Sequence, residues 1–275
     1  MKLFDLHADL GYAVWQKHEA GYTDILSSFY TDALRKGGIK AVFMACWFDG
    51  TQDFDQMCAM IHALKADIAR SDDVRLVMDA SLIDWSDDKI YAMLSVEGMC
   101  GIDRDPEARI DWLYAQGVRM GALCWNEENA LAAGWRSSRG LTPLGIRAVR
   151  HMERIGMRID VSHAGEQTFW DIAKQTKGVL VASHSNAAAL CPHPRNLRDE
   201  QIRLIASRGG LIGAVARSSM SGKNAGTLRI SPGISIICAR WPAKRMSGSG
   251  LISNAIMQAA AMGCAGLAHR RKPAR

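Results

Sequence analysis

An α/β fold is predicted, a (β/α)8 barrel of the TIM type whose eighth strand is missing or disrupted. Three observations predict it. Between Leu3 and Val215 seven apolar runs of strand length alternate with helical patterns, and those runs are near-continuously apolar, as strands of a parallel sheet covered on both faces must be. Polar residues able to bind a ligand recur where the runs end, and a barrel of this kind builds its site at the C-terminal ends of its strands.

The strands are LFDLH, IKAVFMACW, KIYAMLSVE, VRMGALCW, RIDVSH, GVLVASH and GGLIGAVA. The first ends in His7 with Asp9 two residues on; alternation across a strand places residues i and i+2 on one face, so the two can aim at one spot. The second is apolar but for Lys40 near its start. The third closes in Glu97, the fourth in Trp125 and Asn126, the fifth in His163 and the sixth in His184. The helices carry matching punctuation. In TPLGIRAVRHMERIG, Thr142 is a cap and Pro143 fits the first helical position, Leu144, Ala148, Met152 and Ile155 share a face, and Gly156 ends the helix. DPEARIDWLYAQG repeats the pattern from Asp105 to Gly117.

Composition narrows the class. The chain has 275 residues and is 48% hydrophobic, enough for a substantial core, and no apolar run reaches membrane-spanning length. No basic region followed by an apolar core and cleavage site precedes the first strand, so a cytoplasmic location is expected. Seven scattered cysteines, none in a C-x-x-C pair, read as reduced thiols.

Charge divides the chain in two. Of the net +6, residues 1–216 carry −4 and the rest +10, because ten lysines and arginines lie from Arg217 onward and no acidic residue follows Glu200. The expected domains are a barrel over 1–216 and an atypical basic tail over 217–275, in which only the run GISIICARW has a strand period. A shift of reading frame near residue 216 would produce such a tail; a basic extension or a diverged closing strand are the alternatives.

Five ligand-type residues at four strand ends point to metal. His7, Asp9, Glu97, His163 and His184 are too many for one tetrahedral ion and suit two, His7 and Asp9 on one, His163 and His184 on the other, Glu97 between them. Ions about 3.5–4 Å apart share a water, lower its pKa and polarise a carbonyl oxygen, which equips a barrel of the metal-dependent hydrolase kind. Imidazole with carboxylate favours zinc, with cobalt or manganese also able to bind.

The segments DLHADL, SVEG, DVSHAG and SHSNAAALCPHPRNLRDEQIRLIASRGGLIG, in that order, resemble the membrane dipeptidase family, metallopeptidase family M19, over about residues 1–215. The resemblance implies a (β/α)8 barrel with two zinc ions that hydrolyses dipeptides and tolerates a C-terminal D-residue. It assigns His7 and Asp9 to one ion, Glu97 to the bridge, and His163 and His184 to the other. Arg195 matches the arginine that binds the substrate's free carboxylate, a role that suits a guanidinium fork. Trp125 and Asn126 are expected to line the pocket, where some members carry a histidine. The family's strand-eight aspartate, which handles protons, has no counterpart after Glu200, so no further catalytic residue is identified.

Two rival readings remain at this stage: a metal-binding remnant of impaired activity, favoured by the absent aspartate, and another metal-dependent amidohydrolase, whose usual H-x-H and bridging lysine are not found here. The tail lacks aromatics interleaved with its basic residues, so no nucleic-acid partner is expected; a homodimer is compatible with the sequence. The remaining histidines, His18, His62, His151, His193 and His269, read as surface or packing residues.

Overall fold

The computed structural model describes residues 2–215, with the backbone of two short strands at 236–237 and 254–256. Strands β1 (Leu3–Ala8), β2 (Ile39–Trp47), β4 (Ile90–Glu97), β5 (Val118–Ala122), β6 (Arg158–Asp160), β7 (Leu180–Ala182) and β8 (Leu211–Gly213) pair in parallel in that order. They are the seven runs of the sequence, alternating with helices. A three-residue strand β3 (Val74–Leu76) pairs with the foot of β4; it was not expected, being short and carrying the exposed Arg75.

Closure is nearly complete. β9 (Ile236–Ile237) lies parallel to β8 and falls within GISIICARW, whereas β10 (Asn254–Ile256) lies antiparallel to β1. No ladder among the described residues joins β9 to β10, which leaves a seam where an eighth strand would pair with both neighbours. Apart from these two short strands, the expectation of an atypical tail concerns residues outside those described.

Two apolar layers hold the barrel. Phe4, Leu6, Ala41, Phe43, Tyr91, Met93, Met120 and Val181 cluster inside it. Residues of opposite parity, such as Val42, Met44, Ala92, Leu94 and Val96, pack outward on α4 (Phe54–Arg70), α5 (Pro106–Ala115) and α6 (Pro143–Ile155). Complete burial of the eight residues of β4 explains its unbroken apolar text. The helix signals act as read for α6: Thr142 Oγ1 accepts from the Gly145 N–H at 3.0 Å, Pro143 opens the helix, and Gly156 closes it at φ 80°. Asp105 precedes α5 but makes no side-chain cap.

A charged cluster pins the floor, opposite the strand ends that carry the ligand-type residues. The Lys40 ammonium, almost wholly buried, donates to the carbonyls of Asp87 and Lys89, each at 2.8 Å, and pairs with the Asp87 carboxylate, which also accepts from Tyr91 Oη at 2.7 Å. Lys40 holds the Asp87 carboxyl down to about 2, against an ordinary 3.8. A carboxylate depressed in the folded state contributes stability above its unfolded pKa and loses it as pH falls through the folded one. Thermal melts between pH 4 and 2 are therefore expected to show a loss of stability that Asp87→Asn lacks; parallel acid limbs in the two proteins would refute this.

Candidate metal centre

The centre sits at the C-terminal mouth of the barrel, and each element delivers its side chain differently. In β1 a bulge does the work. Phe4 pairs with Ala41 and Asp5 with Val42, but Ala8 pairs with Met44, so one extra residue of β1 is accommodated between Asp5 and Ala8. Leu6 faces the interior, and the bulge turns the adjacent His7 inward as well, against the alternation of a regular strand. The His7 N–H bonds to the Asp5 carboxylate at 3.0 Å. Asp9 lies beyond the strand, at the start of α1 (Leu10–Glu19). Glu97 is the last residue of β4, followed by Gly98 at φ 82°; a Cβ there would meet the Phe48 carbonyl at 2.5 Å, so glycine permits the turn that leaves Glu97 at the rim. His163 and His184 lie three and two residues past β6 and β7, whose strands end earlier than the sequence runs suggested.

These side chains converge. His7 Nε2 stands 3.2 Å from Asp9 Oδ1 and 3.1 Å from Glu97 Oε2, and His163 Nε2 and His184 Nε2 lie 2.5 and 3.4 Å from Glu97 Oε1. The two Nε2 atoms of His163 and His184 are 2.8 Å apart. Ligand atoms of His7, Glu97 and His184 all fall within 4.8 Å of one another. His7, Glu97, His163 and His184 are each at most 3% exposed.

One carboxylate among three buried imidazoles creates unequal basicities. Burial works against ionising Glu97, but His163, His7 and His184 outweigh it and hold the carboxyl well below its usual range. Burial also disfavours the His7 imidazolium, yet Glu97 and Asp9 raise its pKa well above that of an ordinary histidine. Burial, aided by the positive charge of Arg195, pushes His163 down to about 4. Burial and the neighbouring His7 push His184 down to about 3. Glu97 and Asp9 together favour an imidazolium at His7, while burial favours the neutral form of the other two rings.

The donor set fits a divalent metal. The Nδ1 atom of His163 donates to Asn126 Oδ1 at 3.0 Å, and that of His184 lies 2.8 Å from Ser183 Oγ. With its Nδ1 donating, His163 turns an Nε2 lone pair toward Glu97, and with His184 Nε2 only 2.8 Å away a cation between the two rings would bind both nitrogens.

The other predicted residues lie at the same rim. The Arg195 guanidinium, 6% exposed, reaches the His184 carbonyl at 3.5 Å. Its loop folds back through bonds from Ala188 N to Leu197 O and from Leu197 N to Asn186 O, both 2.8 Å. A cavity of about 740 Å³, within the range of small-ligand sites, is lined by Arg195, Ser162, Trp135, His193 and Arg198. Trp125 packs edge-on to Trp47 at 5.0 Å and tilts over His163 at 6.1 Å. Asn126 Oδ1 accepts from Trp135 Nε1 at 2.6 Å as well as from His163, so its carboxamide orients the ring. His193 also has a local role: its Nδ1 accepts from the Arg195 N–H at 3.1 Å. Sequence reasoning passed over Asp160, Ser162 and Ser183, although each stands within three residues of a candidate ligand.

A parallel α/β barrel with a histidine–carboxylate cluster at its C-terminal mouth defines the structural class. The chain matches the sequence profile of the membrane dipeptidase family, peptidase family M19, over residues 1–231, and it belongs to that family. It is 41% identical over 153 residues to a Klebsiella pneumoniae protein from the pqqA 5′ region, covering 51% of this chain and 55% of that protein. It is 29% identical over 243 residues to an uncharacterised dipeptidase of Schizosaccharomyces pombe, covering 77% and 58%. This chain thus spans a little over half the length of these two relatives. Among solved structures it is similar to dipeptidase AC, a metallopeptidase of family M19, with TM-score 0.73 and 22% identity over 82% of this chain and 75% of that one. A Rhodobacter sphaeroides metallopeptidase solved with a phosphinate mimic of L-Ala-D-Ala gives TM-score 0.69 and 21% identity over 78% and 73%. Among the described residues no helix is long and apolar enough to cross a membrane.

Proposed function

We propose that the chain is a two-metal dipeptidase in which His7 and Asp9 hold one ion, His163 and His184 the other, and Glu97 bridges them. The observation that carries this reading is the convergence of three buried imidazoles, the buried Glu97 carboxylate and the partly buried Asp9 in a chain of the membrane dipeptidase family. Zinc is the favoured ion for such donors. Bound divalent ions supply Lewis acidity toward a peptide carbonyl and make water a nucleophile near neutral pH.

The chain's own groups select and orient the substrate. Arg195 pairs with the free carboxylate one residue beyond the scissile bond, which sets substrate length, and Trp125 with Trp47 walls the mouth against water. A C-terminal D-residue is acceptable under this reading, supported by the L-Ala-D-Ala mimic held by the Rhodobacter sphaeroides relative. The ions and a dipeptide are the only partners required.

Elemental analysis of folded, zinc-supplemented protein is expected to give two ions per chain, with hydrolysis of dipeptides. One ion or none would overturn the two-metal assignment. The absence of acidic residues after Glu200 favours a second reading, a centre that binds metal with little turnover; two bound ions without dipeptide hydrolysis would select it.

A further inference from the structure

Beneath the centre, inside the barrel, lies a polar layer with no part in the chemistry described so far. Asp160 ends β6 level with Val181 of β7 and is 4% exposed. Its Oδ1 accepts from Ser162 N at 2.9 Å, Ser162 Oγ at 2.6 Å and Ser183 N at 3.1 Å, and its Oδ2 accepts from Ser183 Oγ. Ser183 is fully buried. A hydroxyl has one proton, and here a carboxylate takes it. The Ser183 oxygen is left to accept, and two ring nitrogens face it: His184 Nδ1 at 2.8 Å and His7 Nδ1 at 3.4 Å. Ser162 Oγ, its own proton given to Asp160, accepts from the His184 N–H at 3.0 Å.

We infer that Asp160 is a positioning residue that acts through the Ser183 hydroxyl to hold His184 and His7 with a proton on Nδ1 and Nε2 directed at the centre. The inference rests on the proposed metal reading for its purpose, but the proton placement itself does not require metal. Its logic is directional. A buried group that only accepts forces the intervening hydroxyl to donate downward and accept from above, so one carboxylate fixes two imidazoles that approach from β1 and β7. Among the described residues no ladder joins β1 to β7 directly, so the Asp160–Ser183 relay ties together two rings that strand pairing alone does not link.

Substitution gives a distinct signature at each of the two positions. Asp160→Asn presents an amide N–H₂ to the serine in one of its orientations; the hydroxyl then turns its proton toward His184 Nδ1, which favours a proton on Nε2. Ser183→Ala leaves Nδ1 without its acceptor and mixes the two forms. A purely structural role would lower the melting temperature without moving the ring signals of the folded protein.

The test uses the full chain labelled with ¹⁵N-histidine, metal-free, in long-range ¹H–¹⁵N spectra that report which ring nitrogen carries the proton. Zinc affinity is measured alongside by competition with a chromophoric chelator. Wild type is expected to show Nδ1-protonated His184, and Ser183→Ala and Asp160→Asn to shift that population. Zinc affinity should fall about 10–100-fold in each single variant, the usual effect of removing a group that orients a ligand. The double variant should fall no further than the worse single one, because both act through one relay. If Ser183→Ala does not fold, Ser183→Cys, close in shape and a weak acceptor, takes its place. Folded variants with wild-type ring signals would overturn the inference, whatever their zinc affinity. Wild type that takes up no zinc would overturn the metal reading instead, while the shift in ring signals would still uphold the relay.

Discussion

Glu97→Gln is expected to empty both metal positions together and reduce dipeptide hydrolysis by more than about 100-fold, beyond what loss of an orienting group costs. Glu97 supplies the carboxylate that His7, His163 and His184 all contact, at 3.1, 2.5 and 3.4 Å. Glutamine keeps the shape but brings an N–H₂ group into a cluster where two neutral rings present lone pairs, and it removes the charge that raises the His7 pKa. Only Asp9 then offsets burial at His7, and a dication in the same pocket meets less compensating negative charge. Metal content and turnover should fall in parallel, with the fold retained. A variant that keeps both ions would remove Glu97 from the bridge; one that loses a single ion would make it a ligand of that ion alone.

Arg195→Ala is expected to cost about 10- to 150-fold in kcat/KM for a dipeptide, the equivalent of a charge-assisted hydrogen bond of about 1.5–3 kcal/mol. The same substitution should change little for the dipeptide amide, which has no carboxylate to grip. Wild type therefore discriminates acid from amide, and the variant does not. Because the guanidinium also helps keep His163 and His184 uncharged, metal affinity should be measured in the same variant, so that a binding loss is separated from a metal loss. Equal turnover of acid and amide by wild type would exclude this role for Arg195.

Much of the barrel was legible because its parallel strands are buried on both faces and therefore read as uninterrupted apolar runs. The ligand-type residues stood out for the complementary reason: His7, Glu97, His163 and His184 are polar where those runs stop. β3 was not legible, since three residues with an exposed arginine carry no period. The role of Asn126 was not legible either, because its partners His163 and Trp135 meet it only in the folded loops.

By itself, the sequence determined the α/β alternation, the choice of strand ends as the site, the set of side chains able to bind metal, and the break in charge after Glu200. These depend on local pattern and residue chemistry, which a chain carries whether or not it is folded. Only the tertiary structure decided how His7 enters the barrel, since the bulge between Asp5 and Ala8 is a mismatch between two strands and exists only once they pair. It also decided that Asp160, an ordinary acidic residue in a line of text, lies beneath two histidines 153 and 24 positions away along the chain. Buried polar groups must find partners, and which partners they find is fixed by packing across the barrel rather than by neighbours in sequence.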